Sequence, residues 1–151
     1  MKIHKFIVTQ ATPEVLFACI SEAELIPQWM EELESIHFPV PIDPLQPIGT
    51  RFTQRIREGI GTRTYEGVVK AYQEFDRFAV DFTDRRFQFS LEYRIVVDER
   101  GTCLYYKLEN RRENLLTLLA GGLLAGMTEQ MVVKNLRNLK RFAEGRSGVG
   151  E

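Results

Sequence analysis

An alternation of apolar and polar side chains near the middle of the chain restricts the fold most strongly. The odd positions of this stretch are apolar and the even positions mostly polar: Phe87, Phe89, Leu91, Tyr93, Ile95 and Val97 against Arg86, Gln88, Ser90, Glu92 and Arg94. Successive side chains of a β-strand point to opposite faces, so the pattern predicts a strand with one buried and one solvated face. A buried sheet face requires a second layer that covers it.

The neighbouring segments show the same period of two and are separated by short polar turns. Alternating runs cover residues 50–57, 63–75, 78–83 and 102–112, and the turn at 58–62 (EGIGT) reverses the chain. This succession predicts a meander of antiparallel strands.

Two further strands extend the predicted sheet. Residues 2–9 are β-branched and aromatic, which is typical of a strand. The apolar group SIHFPV at 35–40 lies in a region with prolines at positions 39, 41, 44 and 47. Because proline cannot donate a hydrogen bond to a central ladder, this region predicts a short edge strand and an extended loop. We therefore expect a curved antiparallel sheet of about six or seven strands.

Helical signals follow the first strand. Thr12 predicts an N-cap, with Pro13 at the first helical position and Glu14 in the first turn. A second short helix is predicted around residues 23–30, with Pro27 at its boundary or at a kink.

The last segment, residues 114–144, predicts a long amphipathic helix, and Gly145 follows it as a C-cap. Only this helix is long enough to lie along the sheet and cover one face, which predicts an α+β domain. Its apolar stripe consists of Val132, Leu136, Leu139 and Ala143.

Length and charge exclude several classes of protein. A chain of 151 residues fits one domain, and 20 Lys plus Arg against 21 Asp plus Glu gives no field that would hold nucleic acid. Two cysteines without a CxxC pair and the lack of a signal-peptide core favour a cytoplasmic protein. The uncharged segment 115–127 is shorter than the roughly 20 residues of a membrane span, so stable insertion is not expected. The sequence leaves open whether the protein forms a homodimer.

The common catalytic and metal-binding patterns are missing. His4 and His37 are the only histidines, and neither has a Cys, Asp or Glu at ligand spacing. The GGLLAG sequence at 121–126 lacks the Lys-Ser/Thr ending of a P-loop. We therefore assign no catalytic residue, no metal and no cofactor.

Several motifs, in this order, resemble the START-like superfamily, also called SRPBCC or helix-grip. They are ATPEVLFACISEAELIPQW at 11–29, GTRF at 49–52, EGVVKAYQEFDRFAVDF at 66–82 and LRNLKRFAE at 136–144. The branch that the chain is most similar to is polyketide cyclase/dehydrase and lipid transport. The resemblance implies a helix-grip fold in a single ligand-binding domain, residues 1–145, followed by a disordered tail.

The resemblance also implies a cavity between sheet and long helix for hydrophobic or amphipathic molecules such as lipids, sterols, polyketides or aromatic hormones. The same residues would equally suit an ordinary core. Candidate ligand contacts on the predicted strand faces and helix are Trp29, Phe52, Gln54, Ile56, Phe87, Phe89, Leu91, Tyr93, Tyr106, Leu108, Asn110, Leu119, Leu123 and Met127.

Three functions are compatible with this sequence. The first is a carrier or sensor of a hydrophobic small molecule, with no catalysis required. The second is a cyclase or dehydratase in which Gln54, Tyr93, Tyr106 or Asn110 orients a polyketide and supplies a proton; it is disfavoured because Glu58 is the only carboxylate expected near the pocket. The third is a co-chaperone-like interaction module that uses the exposed sheet face or the proline-rich loop.

Overall fold

The computed structural model describes residues 2–58, 60–83, 88–112 and 129–148. The order of the elements confirms the predicted α+β class. The elements are β1 (Lys2–Thr9), α1 (Pro13–Ser21), a 3₁₀ helix (Ile26–Gln28), β2 (Leu33–His37), β3 (Arg51–Glu58), β4 (Gly61–Gln73), β5 (Arg77–Thr83), β6 (Gln88–Asp98), β7 (Gly101–Arg112) and α2 (Glu129–Arg146).

The seven strands form one curved antiparallel sheet in the order β1-β7-β6-β5-β4-β3-β2. The meander from β2 to β7 follows the chain, and β1 joins it at the far side of β7. The strand before the proline-rich loop, β2, lies at the other edge and is short, as predicted. The register places Tyr93 opposite Tyr106 and Gln54 opposite Tyr65.

Helix α1 begins where the sequence predicts. The Thr12 hydroxyl accepts a hydrogen bond from the Val15 amide at 3.2 Å, which satisfies one of the free amides of the first turn. Phe17 on the buried face meets the ring of Tyr72 edge to face at 5.2 Å. This contact fixes α1 against the end of β4.

The second predicted helix is shorter than expected. In place of an α-helix over 23–30, the chain forms a single 3₁₀ turn, Ile26–Gln28. Pro27 has no amide hydrogen and its ring would crowd the preceding turn, so a longer helix is not stable there.

Helix α2 packs its predicted apolar stripe on the sheet, and all four residues of that stripe are buried. The helix ends at Arg146, one residue beyond the predicted Gly145, and the left-handed backbone falls on Gly148, with φ of 76°. Glu144 holds this end of the helix against β1, because its carboxylate accepts hydrogen bonds from the Thr9 hydroxyl and from the backbone amide of Gln10, both at 2.9 Å. The predicted start at 114 and residues 149–151 lie outside the described residues.

Within the described ranges, no helix is both long and apolar enough to cross a membrane. The uncharged segment 115–127 falls outside those ranges.

Candidate functional site

A cavity lies between the concave face of the sheet and α2. Its free space is about 60 Å³, and one water needs roughly 10–15 Å³ of such space. The described part of the wall comes from α1, the 3₁₀ helix and its surroundings, strands β2 to β7, and α2. A space of this size has room for a few waters at most.

Most of the predicted contacts that the structure describes meet at this cavity. The predicted residues that line it are Trp29, Phe52, Gln54, Ile56, Phe89, Leu91, Tyr93 and Tyr106. They come from the three strands β3, β6 and β7 and from the turn after the 3₁₀ helix, so the curvature of the sheet brings them together.

Two predicted residues, Leu108 and Asn110, do not line the cavity. Leu108 is completely buried in the core, opposite Ile3 of β1 and Leu91 of β6. Alternation predicts which face of the strand a side chain lies on. It does not predict whether neighbouring side chains already fill the space in front of it. Four other predicted contacts lie outside the described residues: Phe87, Leu119, Leu123 and Met127.

Other wall residues were not predicted. Phe78, Val80 and Phe82 alternate along β5 and could have been found by the same period of two. Met30 and Phe38 lie in irregular chain on either side of β2, where no periodicity marks the inward side chains. The sequence therefore does not predict the wall residues that lie in irregular segments.

Aromatic rings form a continuous row along one side of the cavity. Phe38 stacks on Phe52 at 4.9 Å, and Phe52 meets Phe82 edge to face at 5.6 Å. Phe82 lies 5.2 Å from Phe89, which meets Tyr65 at 5.5 Å. Offset and edge-to-face pairs of this kind are favourable beyond the area that they bury.

Gly67 makes room for this row. A Cβ atom at Gly67 would lie 2.2 Å from Cζ of Phe52, so any side chain there would displace the ring. Glycine is required at this point of β4 because the Phe52 ring lies directly on the backbone of the neighbouring strand.

Two buried phenols form a second feature of the wall, and we call Tyr93 and Tyr106 the phenol pair. The two residues are only 6% and 7% exposed, and their rings lie 5.5 Å apart at 71°. Burial raises the pKa of Tyr93 well above its usual value and also raises the pKa of Tyr106. Neither hydroxyl donates a hydrogen bond to a described residue.

Gln54 adds a polar group at the row of aromatic rings. The residue is 9% exposed and lies opposite Tyr65 on the next strand. Its side-chain amide makes no hydrogen bond to another described residue. Buried amides normally have partners, so this position is suited to a bound water or ligand.

Trp29 is an anchor whose ring also forms part of the wall. Its indole N–H donates to the carbonyl oxygen of Cys19 at 2.9 Å, and its own carbonyl accepts from Asn138 at 3.2 Å. These bonds tie the 3₁₀ helix to α1 and to α2. A fixed, buried indole is suited to this anchoring role.

The charged groups beside the α2 part of the wall are paired with one another. The Asn135 amide donates to Glu32 at 2.7 Å, and Lys134 forms ion pairs with Glu32 and, at 3.0 Å, with Glu31. Hydrogen bonds to both glutamates raise the pKa of Lys134. Asn135 reaches the wall, but its amide is already engaged.

The wall offers hydrogen-bond donors but little acid–base chemistry. Its described residues include no Asp, Glu, Lys, Arg or His. Among the side chains that the structure describes, no three His, Cys, Asp or Glu come together as a metal site. A phenol with a raised pKa stays protonated near neutral pH, so it orients a ligand better than it transfers a proton.

Comparison with solved structures gives the same fold at low identity. A START superfamily protein of Mycobacterium smegmatis matches with a TM-score of 0.68 and 16% identity, over 97% of each chain. The di-domain ARO/CYC StfQ of the steffimycin biosynthetic pathway matches with a TM-score of 0.77 and 16% identity, over 98% of this chain and 52% of that one. A Thermus thermophilus protein matches with a TM-score of 0.75 and 13% identity, over 97% and 99%.

No curated protein matches the sequence. The family model described as polyketide cyclase / dehydrase and lipid transport matches residues 1–144. This match covers nearly the whole chain, and the helix-grip architecture agrees with it. The chain belongs to the polyketide cyclase/dehydrase and lipid transport family.

Proposed function

We propose that this protein binds a hydrophobic or amphipathic small molecule in the cavity and acts as its carrier or sensor, without catalysis. The observation that carries the proposal is a largely apolar wall in which Gln54, Tyr93 and Tyr106 are buried without hydrogen-bond partners among the described residues. An ordinary core leaves few such groups, whereas a ligand site needs a small number of them for orientation.

The size of the cavity implies that binding widens it. A space of about 60 Å³ is smaller than a lipid or a polyketide, so wall side chains have to move. Met30 and Met131 are suited to this, because unbranched thioether chains change shape at low cost. Leu91 is only partly buried and lies between Phe89 and Tyr93 on the same face of β6. We expect these side chains to move first.

A polyketide cyclase or dehydratase is the second candidate. The family description and the fold shared with an ARO/CYC protein favour it. Against it, the ionisable groups of the described wall are tyrosines, and burial raises the pKa of the phenol pair away from neutral pH. General acid–base catalysis works best with a pKa near the working pH.

The third alternative, an interaction module, rests on the loop between β2 and β3. Val40, Leu45 and Ile48 are exposed apolar residues of that loop. Scattered apolar side chains are common on protein surfaces, so they favour this alternative only weakly.

Filling the cavity tests the leading proposal. We expect Leu91→Trp to abolish the fluorescence gain of Nile red, because the larger ring occupies the space between sheet and helix. Val96→Trp is the matched control: it lies on the same strand, is 47% exposed on the opposite face, and should leave probe binding unchanged. Circular dichroism checks that both variants fold.

Gly67→Ala provides an independent variant in case Leu91→Trp does not fold. The added methyl group pushes the Phe52 ring into the cavity, so probe binding should again decrease. Unchanged Nile red affinity in folded Leu91→Trp and Gly67→Ala proteins would refute the proposal. Native mass spectrometry of protein from its own host would give the mass of any bound compound directly.

A further inference from the structure

We infer that the phenol pair is a subsite for the carbonyl oxygen of an uncharged, ring-containing ligand. This inference rests on the proposed function and specifies the chemical class of the ligand. It follows from the placement of Tyr93 and Tyr106, from their missing partners, and from the composition of the wall around them.

The two phenols act from one part of the wall. Tyr93 and Tyr106 are directly opposite each other on the adjacent antiparallel strands β6 and β7, and both line the cavity. Side chains at opposite positions leave the sheet on the same face, roughly 5 Å apart at Cβ. An oxygen atom with two lone pairs at this place can therefore accept from one hydroxyl or from both.

The hydroxyls are donors that the described part of the protein does not use. Each residue is more than nine-tenths buried, and neither hydroxyl bonds to a described residue. Replacing both by phenylalanine would remove the desolvation cost, so the hydroxyls have no evident role in folding. A carbonyl group is the simplest ligand acceptor for two neutral O–H donors.

The wall disfavours an anionic ligand. No Lys, Arg or His side chain occurs among its described residues. A carboxylate or phosphate would thus find no cation on the described wall, and burying an unpaired anion is costly even when hydrogen bonds are present. The acceptor therefore belongs to a neutral group.

The rings around the cavity favour a ring on the ligand. Phe52, Phe82 and Phe89 form part of the aromatic row, and Phe78 lies opposite Tyr93 on β5. Aromatic walls contact a flat ring by stacking and by its edges, with better geometry than they offer to a flexible chain. An aryl ketone combines the ring with the neutral acceptor.

Three naphthalene derivatives of similar size test the subsite. Acetylnaphthalene carries a neutral acceptor, ethylnaphthalene carries none, and naphthoate carries a charged one. By calorimetry, we expect wild-type protein to bind acetylnaphthalene about tenfold more tightly than ethylnaphthalene, and naphthoate more weakly than the ketone.

Phenylalanine variants distinguish a ligand-binding role of the two hydroxyls from a structural role. In Tyr93→Phe/Tyr106→Phe, the ketone should lose about tenfold in affinity while ethylnaphthalene stays within about twofold. Tyr105→Phe is the matched control, because Tyr105 is the neighbouring tyrosine of β7 and is 43% exposed. It should change neither affinity.

The outcomes also separate this inference from the proposed function. Equal affinities for ketone and hydrocarbon in the wild type, or an equal loss of both in the double variant, would overturn the subsite alone. Tighter binding of naphthoate than of the ketone would overturn it as well, because the site would then be a site for anions. If Nile red and all three ligands fail to bind the wild type, the proposed function fails and the subsite with it.

Discussion

The two faces of the sheet treat their polar side chains in opposite ways. On the convex face, Arg77 donates to Glu92 at 2.8 Å and the Ser90 hydroxyl donates to Asp81 at 2.6 Å. On the concave face, the hydroxyls of Tyr93 and Tyr106 have no partner among the described residues. Glu92 and Tyr93 are consecutive residues, yet of the two side chains only that of Glu92 has a hydrogen-bond partner in the described ranges.

This difference distinguishes structural polar groups from candidate binding groups. A polar side chain on the convex face has a partner on the next strand, and this holds even for Asp81, which is only 6% exposed. A concave polar side chain has lost its water, so a missing partner implies that a ligand or an ordered water completes it. The following experiments compare the two faces directly.

The largest difference should appear when apolar contacts are removed. Leu108→Ala on the concave side of β7 should lower the free energy of unfolding by about 2–5 kcal/mol, because Leu108 is 1% exposed and leaves a void. Val96→Ala on the convex side should change it by about 0.5 kcal/mol or less. Urea denaturation measures both. Similar losses in the two variants would mean that the convex face is covered in solution.

Alkaline pH should reveal the buried phenols next. A tyrosine in the unfolded chain loses its proton near pH 10, whereas burial raises the pKa of Tyr93 and Tyr106 in the folded protein. Above about pH 10 the unfolded chain therefore binds fewer protons than the folded one, so stability falls as pH rises. The slope is about 1.4 kcal/mol per pH unit for each tyrosine until the folded pKa is reached.

The measurement is urea unfolding between about pH 8 and about pH 11, a range that spans the tyrosine pKa of the unfolded chain. Tyr93→Phe/Tyr106→Phe should lose less stability over this range than the wild type. Tyr105→Phe, from the convex face, should keep the wild-type slope. Identical slopes in all three proteins would show that the phenol pair titrates as it does in water.

The alternation in the sequence was sufficient to predict the faces of the sheet. It placed Phe89, Leu91 and Tyr93 on the side that α2 covers, and the structure agrees. It could not predict that Leu108 lies beyond the cavity, because this depends on how neighbouring side chains fill the concave face.

The sequence also did not predict which side chains pair across neighbouring strands. The sequence gives no reason for Asp81 among the apolar residues of β5, whereas the register places it opposite Ser90. Phe38 reaches the wall from irregular chain that shows no period. Periodicity specifies a local direction, whereas a partner is specified by the register between strands.

The smallest expected effect belongs to the ion pair between Arg77 and Glu92. Both side chains remain partly exposed, so water and salt weaken their attraction, and Glu92→Gln should cost about 1 kcal/mol or less. A double-mutant cycle with Arg77→Gln isolates the pair, and its coupling should decrease further when salt is added. A coupling of several kcal/mol that resists salt would mean that this part of the convex face is shielded from water. The contrast would then rest only on whether polar side chains have partners within the described chain, and no longer on their exposure to water.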